Sequence, residues 1–248
     1  MYQNIIELKT KFEKISNKEW IKSDGKGSGS IGTTFEKELG LNNNDFEIPD
    51  FKGIEIKSKK IKSIKKNPYI TLFNATFDGM YLFEMKRLYE SYGWADKLFT
   101  NSKILYANIY GKYLSKMGEK YKLKLKIDYK EEKVFLLIYD LNNKLIDQEC
   151  YWTFDLLEEK LTRKLSYLAV IKADNKFINN IEYYNYQELN IYTLKNFNTF
   201  LKLLENGLIK ININIGIYKN GKRKGKYYDH GTSFSIKEKY LTKLFNKI

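Results

Sequence analysis

The chain has 248 residues, 43% of them hydrophobic and 16% aromatic, enough to bury the core of one large domain or of two lobes and too many for a disordered segment. Its single cysteine, Cys150, and single histidine, His230, exclude an intramolecular disulfide, a cysteine-based zinc site and paired-histidine phosphodiesterase chemistry. A net charge of +14 points to a polyanionic partner, and the lack of a bilayer-spanning apolar run or a signal-like N-terminus leads to the expectation of a soluble intracellular protein.

Taken in chain order, Ile5, Leu8, Phe12 and Ile15 recur at steps of three and four and predict an amphipathic helix over residues 4–15. Residues 23–30 read as a glycine-rich loop suited to cradle a phosphate, although no Walker pattern is present. Thr33 and Glu36 have the spacing of a capping box and predict the start of a short helix with Phe35 and Leu39 inward. Strands are predicted at 54–57, 69–73, 103–110, 121–127 and 134–140, the last two joined as a hairpin through Asp128–Glu132. Helices are predicted over 80–90 and 154–165. Tyr167–Ile171 has the apolar run of a buried central strand, and residues 194–205 read as a helix stopped by Gly207. Ile209, Ile211, Ile213, Ile215 and Ile217 alternate as one buried strand face, with Asn212, Asn214 and Gly216 on the other. Interleaved strands and helices predict an α/β or α+β class with a mixed sheet.

The segment Pro49-Asp50-Phe51-Lys52-Gly53-Ile54-Glu55-Ile56-Lys57 carries the most chemistry. In a strand, Glu55 and Lys57 share one face while Ile54 and Ile56 share the other. Asp50 enters from upstream. Two carboxylates are what Mg²⁺ takes from a protein when it also binds phosphate, and a nearby ammonium can hold the attacking water and offset charge on phosphorus. The competing reading is an exposed edge strand with solvated charges. Glu36 has two readings, as a helix cap or as a third acid beside such a site.

Charge is unevenly placed. Residues 52–66 hold seven lysines against one acid, with Lys59 and Lys60 among them, and residues 210–248 hold ten basic residues against two acids. Only Arg87, Arg163 and Arg223 are arginine, which fits an AT-rich coding bias toward lysine. Lys222, Arg223, Lys224 and Lys226 form a basic, glycine-flanked hairpin tip suited to phosphate contacts, followed by Tyr228, Asp229 and His230. Asp229, His230, Asn212 and Asn214 are placed to reach base edges, and an asparagine can pair bidentately with adenine. The competing reading is a mobile hairpin whose histidine only caps or packs.

Several segments, in this order, go further: Gly32-Thr33-Thr34-Phe35-Glu36, Pro49-Asp50-Phe51 with Ile54-Glu55-Ile56-Lys57, Thr71-Leu72-Phe73, Tyr151-Trp152-Thr153-Phe154-Asp155, Tyr167-Leu168-Ala169-Val170-Ile171, Glu205-Asn206-Gly207, Ile215-Gly216, and Gly225-Lys226 through Asp229-His230-Gly231-Thr232 and Phe234. On these the chain resembles the MvaI/BcnI family of restriction endonucleases, relatives of MutH within the PD-(D/E)XK nuclease group. The resemblance spans nearly the whole chain. It implies a mixed α/β fold, a central mixed sheet flanked by helices, with two lobes around a DNA cleft. Residues 1–118 would form mainly the catalytic lobe, and 119–248 would include the recognition lobe. It also implies a type II restriction endonuclease that cuts double-stranded DNA with Mg²⁺. Such an enzyme is able to act as a monomer in a prokaryotic cytoplasm, beside a cognate DNA methyltransferase. Asp50, Glu55 and Lys57 match the family's catalytic positions, and Glu36 matches its helical glutamate. Asp50, Glu55 and the Ile56 carbonyl would hold Mg²⁺, Lys57 would orient water, and Glu36 would bind a second metal or fix Lys57. Asn214 and Ser235 depart from the family's pattern, where arginine is the usual reader of guanine, so no recognition sequence is carried over. The alternatives are a MutH-like nickase and a non-catalytic DNA- or RNA-binding protein.

Overall fold

The computed structural model describes residues 1–27, 29–41, 48–61, 68–78 and 81–248, apart from the side chains of residues 81–83, 227 and 230. Part of the glycine-rich loop, three lysines of the 52–66 cluster (Lys62, Lys65 and Lys66), the start of the 80–90 helix and the side chain of His230 lie outside that description. The chain divides into two compact units: Met1–Pro68 with Thr162–Lys195 and Leu244–Ile248, and Tyr69–Leu161 with Asn196–Lys243. Residue 118, expected near a lobe boundary, falls inside the second unit. The chain returns to the first unit at Thr162 because the strand that follows pairs with the one carrying Glu55.

In the first unit a sheet runs in the order Ile21–Lys22, Ile181–Leu194, Tyr167–Ile178, Glu55–Lys60, with Phe245–Lys247 also pairing Ile181–Leu194. Glu55–Lys60 is parallel to Tyr167–Ile178, with Glu55 opposite Leu168 and Lys57 opposite Val170. A parallel pair needs a crossover, and here the intervening chain builds the second unit. The helices Tyr2–Ser16 and Ser30–Glu38 bury Ile5, Leu8, Ile15, Ile31 and Phe35 against Ile54, Ile56, Ala169, Ile171, Tyr184 and Tyr186. Each large side chain so buried contributes about 1.5–3 kcal/mol.

Two sequence expectations change here. The helix with Phe35 begins at Ser30 with Gly29 as its N-cap, so Thr33 and Glu36 lie inside it and form no capping box. Thr33 Oγ1 instead donates to the Ser30 carbonyl at 3.2 Å. The second change is the strand Ile181–Leu194, which was not among the expected strands. It is joined to Tyr167–Ile178 through Asn179 and Asn180, both with positive φ (49° and 61°), as a tight two-residue hairpin requires.

The second unit holds two sheets. One runs Tyr69–Asn74, Tyr227–Lys237, Ile209–Ile217, Lys103–Ile109, Trp94–Ala95. The other runs Tyr151–Thr153, Lys133–Tyr139, Tyr121–Asp128, Ser115–Met117, with Leu145–Asp147 beside Lys133–Tyr139. The hairpin expected from 121–127 and 134–140 is therefore present. The helix expected over 194–205 spans Phe197–Glu205, because Asn196 caps it by accepting from Thr199 N at 2.8 Å. Phe73, Trp152, Phe200 and Phe234 pack ring to ring in its core. The mixed α+β class expected from sequence holds. Among the described residues no helix is long and apolar enough to cross a membrane.

Candidate active site

The four-residue spacer between Asp50 and Glu55 is a turn. Phe51 N donates to the Ile54 carbonyl at 2.9 Å and Ile54 N to the Phe51 carbonyl at 2.8 Å. The two residues between them have positive φ, 46° at Lys52 and 88° at Gly53. This is the backbone of a type I′ hairpin turn, for which glycine at the second position carries no steric penalty. Asn4 Nδ2 donates to the Lys52 carbonyl at 2.9 Å, and Lys52 pairs with Glu7, so the first helix braces the turn. Reversal of the chain carries Asp50 back along the strand, where its Oδ2 accepts from Ile56 N at 2.7 Å. Phe51 anchors the turn in the core.

Glu55 and Lys57 share a face and hydrogen-bond to each other through Glu55 Oε1, while Ile54 and Ile56 are buried on the opposite side. Glu55 is fully buried, which removes the reading as a solvated edge strand. A buried carboxylate costs several kcal/mol unless charges pair with it. A second cation supplies part of that pairing: Lys164 Nζ lies 3.5 Å from the same Oε1. Lys164 sits in the last turn of the helix Phe154–Leu165, just ahead of the strand that runs parallel to Glu55–Lys60. A cation there is also favoured by the helix dipole. Sequence alone does not single out this residue. Its signal, a lysine just before a predicted central strand, gains meaning only with the parallel register.

Glu55 Oε2, by contrast, is buried with no hydrogen-bond partner among the described residues. Burial pushes the Glu55 carboxyl above the ordinary range; Lys57 opposes the shift, and the charge of Asp50 adds to it. Glu36 responds to the same charges. Its carboxyl is raised by burial first and by Asp50 second, with Lys57 pulling the other way. Glu36, Asp50, Glu55 and Lys57 therefore form one electrostatic cluster. Among the described residues no three acidic, histidine or cysteine groups form a ready-made metal cage. Mg²⁺ does not need one, since it keeps several waters and takes one or two carboxylates together with substrate phosphate. The donor set fits such an ion: Glu55, with the charge of Asp50 acting on it and with one buried oxygen that lacks a donor among the described residues.

The basic hairpin tip lies in the second unit. Lys222, Arg223, Lys224 and Lys226 are exposed, the first three between Gly221 and Gly225, both with positive φ. The tip is fastened by Tyr218 N to the Lys226 carbonyl at 3.0 Å, by Gly225 N to the Tyr218 carbonyl at 2.8 Å and by the Lys219–Asp96 ion pair. Asp229 Oδ1 accepts from Gly231 N at 2.7 Å within a bulge of the Tyr227–Lys237 strand, and Tyr228 stands half-buried against Tyr218. Asn214 is half-buried opposite Tyr106. Ser235 is buried between Thr71 and Lys210, on the sheet face that also carries Lys210, Asn212 and Ser233. Lys60 is paired with Glu182 in the first unit, where Lys59 is half-buried beside it.

The sequence profile of the MvaI/BcnI restriction endonuclease family matches residues 9–245. The chain belongs to this family. No curated protein matches the chain. Among solved structures, restriction endonuclease MvaI in complex with its cognate DNA substrate is similar at 32% identity and a TM-score of 0.90, over 100% of this chain and 98% of that one. MvaI in the absence of DNA is similar at 29% identity and a TM-score of 0.62, over the same shares of the two chains. As a member of the MvaI/BcnI family, the protein is a type II site-specific deoxyribonuclease, and enzymes of the family use a divalent metal ion.

Proposed function

We propose that the protein cuts double-stranded DNA at a short sequence with Mg²⁺, using Asp50, Glu55 and Lys57 in the first unit. The observation that carries this reading is the Glu55 carboxylate. One oxygen is held by Lys57 and lies near Lys164; the other is buried without a donor among the described residues, and the charge of Asp50 acts on the same carboxyl. Glu55 Oε2 and Asp50, with the Ile56 carbonyl, would hold the ion. When bound, it would neutralise charge on the phosphate and make water a better nucleophile. Lys57 Nζ keeps one N–H on Glu55 and offers its others to the attacking water or a phosphate oxygen. Lys164 holds the Glu55 carboxylate in place from the opposite element. Glu36 adds negative charge to the cluster and steadies Lys57.

The second unit would supply recognition. Lys222, Arg223, Lys224 and Lys226 are proposed to track phosphates, and Tyr228, Asp229, His230 and Asn214 to face the bases. The DNA-bound MvaI neighbour supports duplex DNA as the partner. The same reading places the protein in a prokaryotic cytoplasm as a monomer, with a methyltransferase that protects host DNA. The test is digestion of a sequenced circular plasmid by purified protein with Mg²⁺, followed by mapping of the ends. The reading expects linear fragments with unique ends. Nicked circles alone would point to a strand-nicking enzyme, and intact plasmid under all conditions would refute the reading.

A further inference from the structure

A second set of polar groups lies on one face of a sheet in the second unit. Ile209, Ile211, Ile213, Ile215 and Ile217 are buried, which leaves Lys210, Asn212 and Asn214 on the opposite face. Strand register aligns that face across four strands: Asn74 is opposite Ser233, Ser233 opposite Asn212, and Asn212 opposite Asn108. Directly opposed residues of antiparallel strands share a face. Asn74, Ser233, Asn212 and Asn108 therefore form one row, about 14 Å long at roughly 4.8 Å per strand, close to the ~12 Å width of a DNA major groove.

The chemistry of the row is specific. Asn74 and Asn108 are exposed, while Asn212 and Ser233 are half-buried. A primary amide presents a donor and an acceptor side by side, the complement of adenine N7 and N6. No acid interrupts the row, and Lys210 Nζ donates to Asn108 Oδ1 at 2.7 Å, which adds positive charge at one end. At the other end, Asn74 Nδ2 lies beside the Gly231 bulge, where Asp229 accepts from Gly231 N. The row is thus continuous with the segment proposed above to face bases. In its middle, Asn212 Oδ1 is buried with no hydrogen-bond donor among the described residues. An unmet buried acceptor is costly.

We infer that the row Asn74–Ser233–Asn212–Asn108 reads A·T base pairs through the major groove, with its asparagine amides paired to adenine. This rests on the proposal that the protein cuts duplex DNA. The experiment is Mg²⁺ digestion of a randomised duplex library, with the cut ends sequenced, by wild type, Asn108→Asp and Asn74→Asp. Aspartate keeps the shape of asparagine but loses the donor, and it accepts from cytosine N4. Wild-type cut sites should share at least one fixed A·T pair. Each variant should cut those sites about tenfold to a hundredfold more slowly, with a shift toward cytosine at one position and an unchanged melting temperature. A wild-type target made only of G·C pairs, or an equal loss by both variants on every site, would overturn the inference while leaving the cleavage reading intact. If the wild type cuts no duplex at all, the cleavage reading falls and this inference with it.

Discussion

Lys164→Met is the change that probes the acidic cluster without touching a proposed metal ligand. The lysine lies 3.5 Å from Glu55 Oε1 and is mostly buried, and the carboxylate itself has almost no exposed surface. At that distance and an effective dielectric of about 20, the gross attraction is on the order of 5 kcal/mol. Much of it is offset by the several kcal/mol needed to desolvate the ammonium, and Lys57 still holds the same oxygen. The net loss expected is about 1–2 kcal/mol, or roughly 2–8 °C in melting temperature for a chain of this size. Methionine keeps the stem's packing, so the loss reports charge. Lys164 is also a positive charge beside the oxygens proposed to hold Mg²⁺. Its removal should make the Mg²⁺-induced rise in melting temperature larger than in wild type. Lys164→Arg should restore both values. The assay is thermal unfolding of metal-free protein with and without Mg²⁺. A Lys164→Met protein that melts like wild type in both conditions would refute the assignment of Lys164 as a partner of Glu55.

Other outcomes follow from the same geometry. Asp50→Ala and Lys57→Ala should each slow cleavage by roughly a thousandfold or more, since each removes a charge that acts on the transition state, while DNA binding in a gel-shift assay stays close to wild type. Glu36 holds its proton to higher pH in the folded protein than in the unfolded chain, so its contribution to stability is present below about pH 4.5 and is lost as pH rises through its folded value. Glu36→Gln should therefore raise the melting temperature of metal-free protein at pH 7–8, leave it nearly unchanged at pH 4, and slow cleavage; a flat response across pH would show that burial and Asp50 do not raise the Glu36 carboxyl. Replacing Lys222, Arg223, Lys224 and Lys226 with serine should weaken binding to all duplexes alike and lower the salt slope by about three to four, as measured by titration at several salt concentrations.

Much of the site was legible because a strand has period two. That rule alone put Glu55 with Lys57 and buried Ile54 and Ile56. The role of the spacer was less plain, because Lys52 is a non-glycine residue in a positive-φ conformation that the first helix braces. Lys164 was hidden because its position depends on a parallel register between strands more than a hundred residues apart. The strand Ile181–Leu194 escaped notice because its buried residues include Tyr184 and Tyr186, which alternate with polar neighbours and give a weak apolar signal. The capping box at Thr33 failed because Gly29 already starts the helix one turn earlier. No single cut in the sequence could mark the two units, since each is assembled from separated segments.

The central claim is that the buried Glu55 carboxylate makes this fold a metal-dependent nuclease. Glu55→Gln tests it with the least change of shape. The measurement is single-turnover cleavage of a mapped site in Mg²⁺, with binding of the same duplex followed in Ca²⁺. The account predicts that the variant loses at least about a thousandfold in rate while still binding DNA. Cleavage by Glu55→Gln within a few-fold of wild type would contradict it.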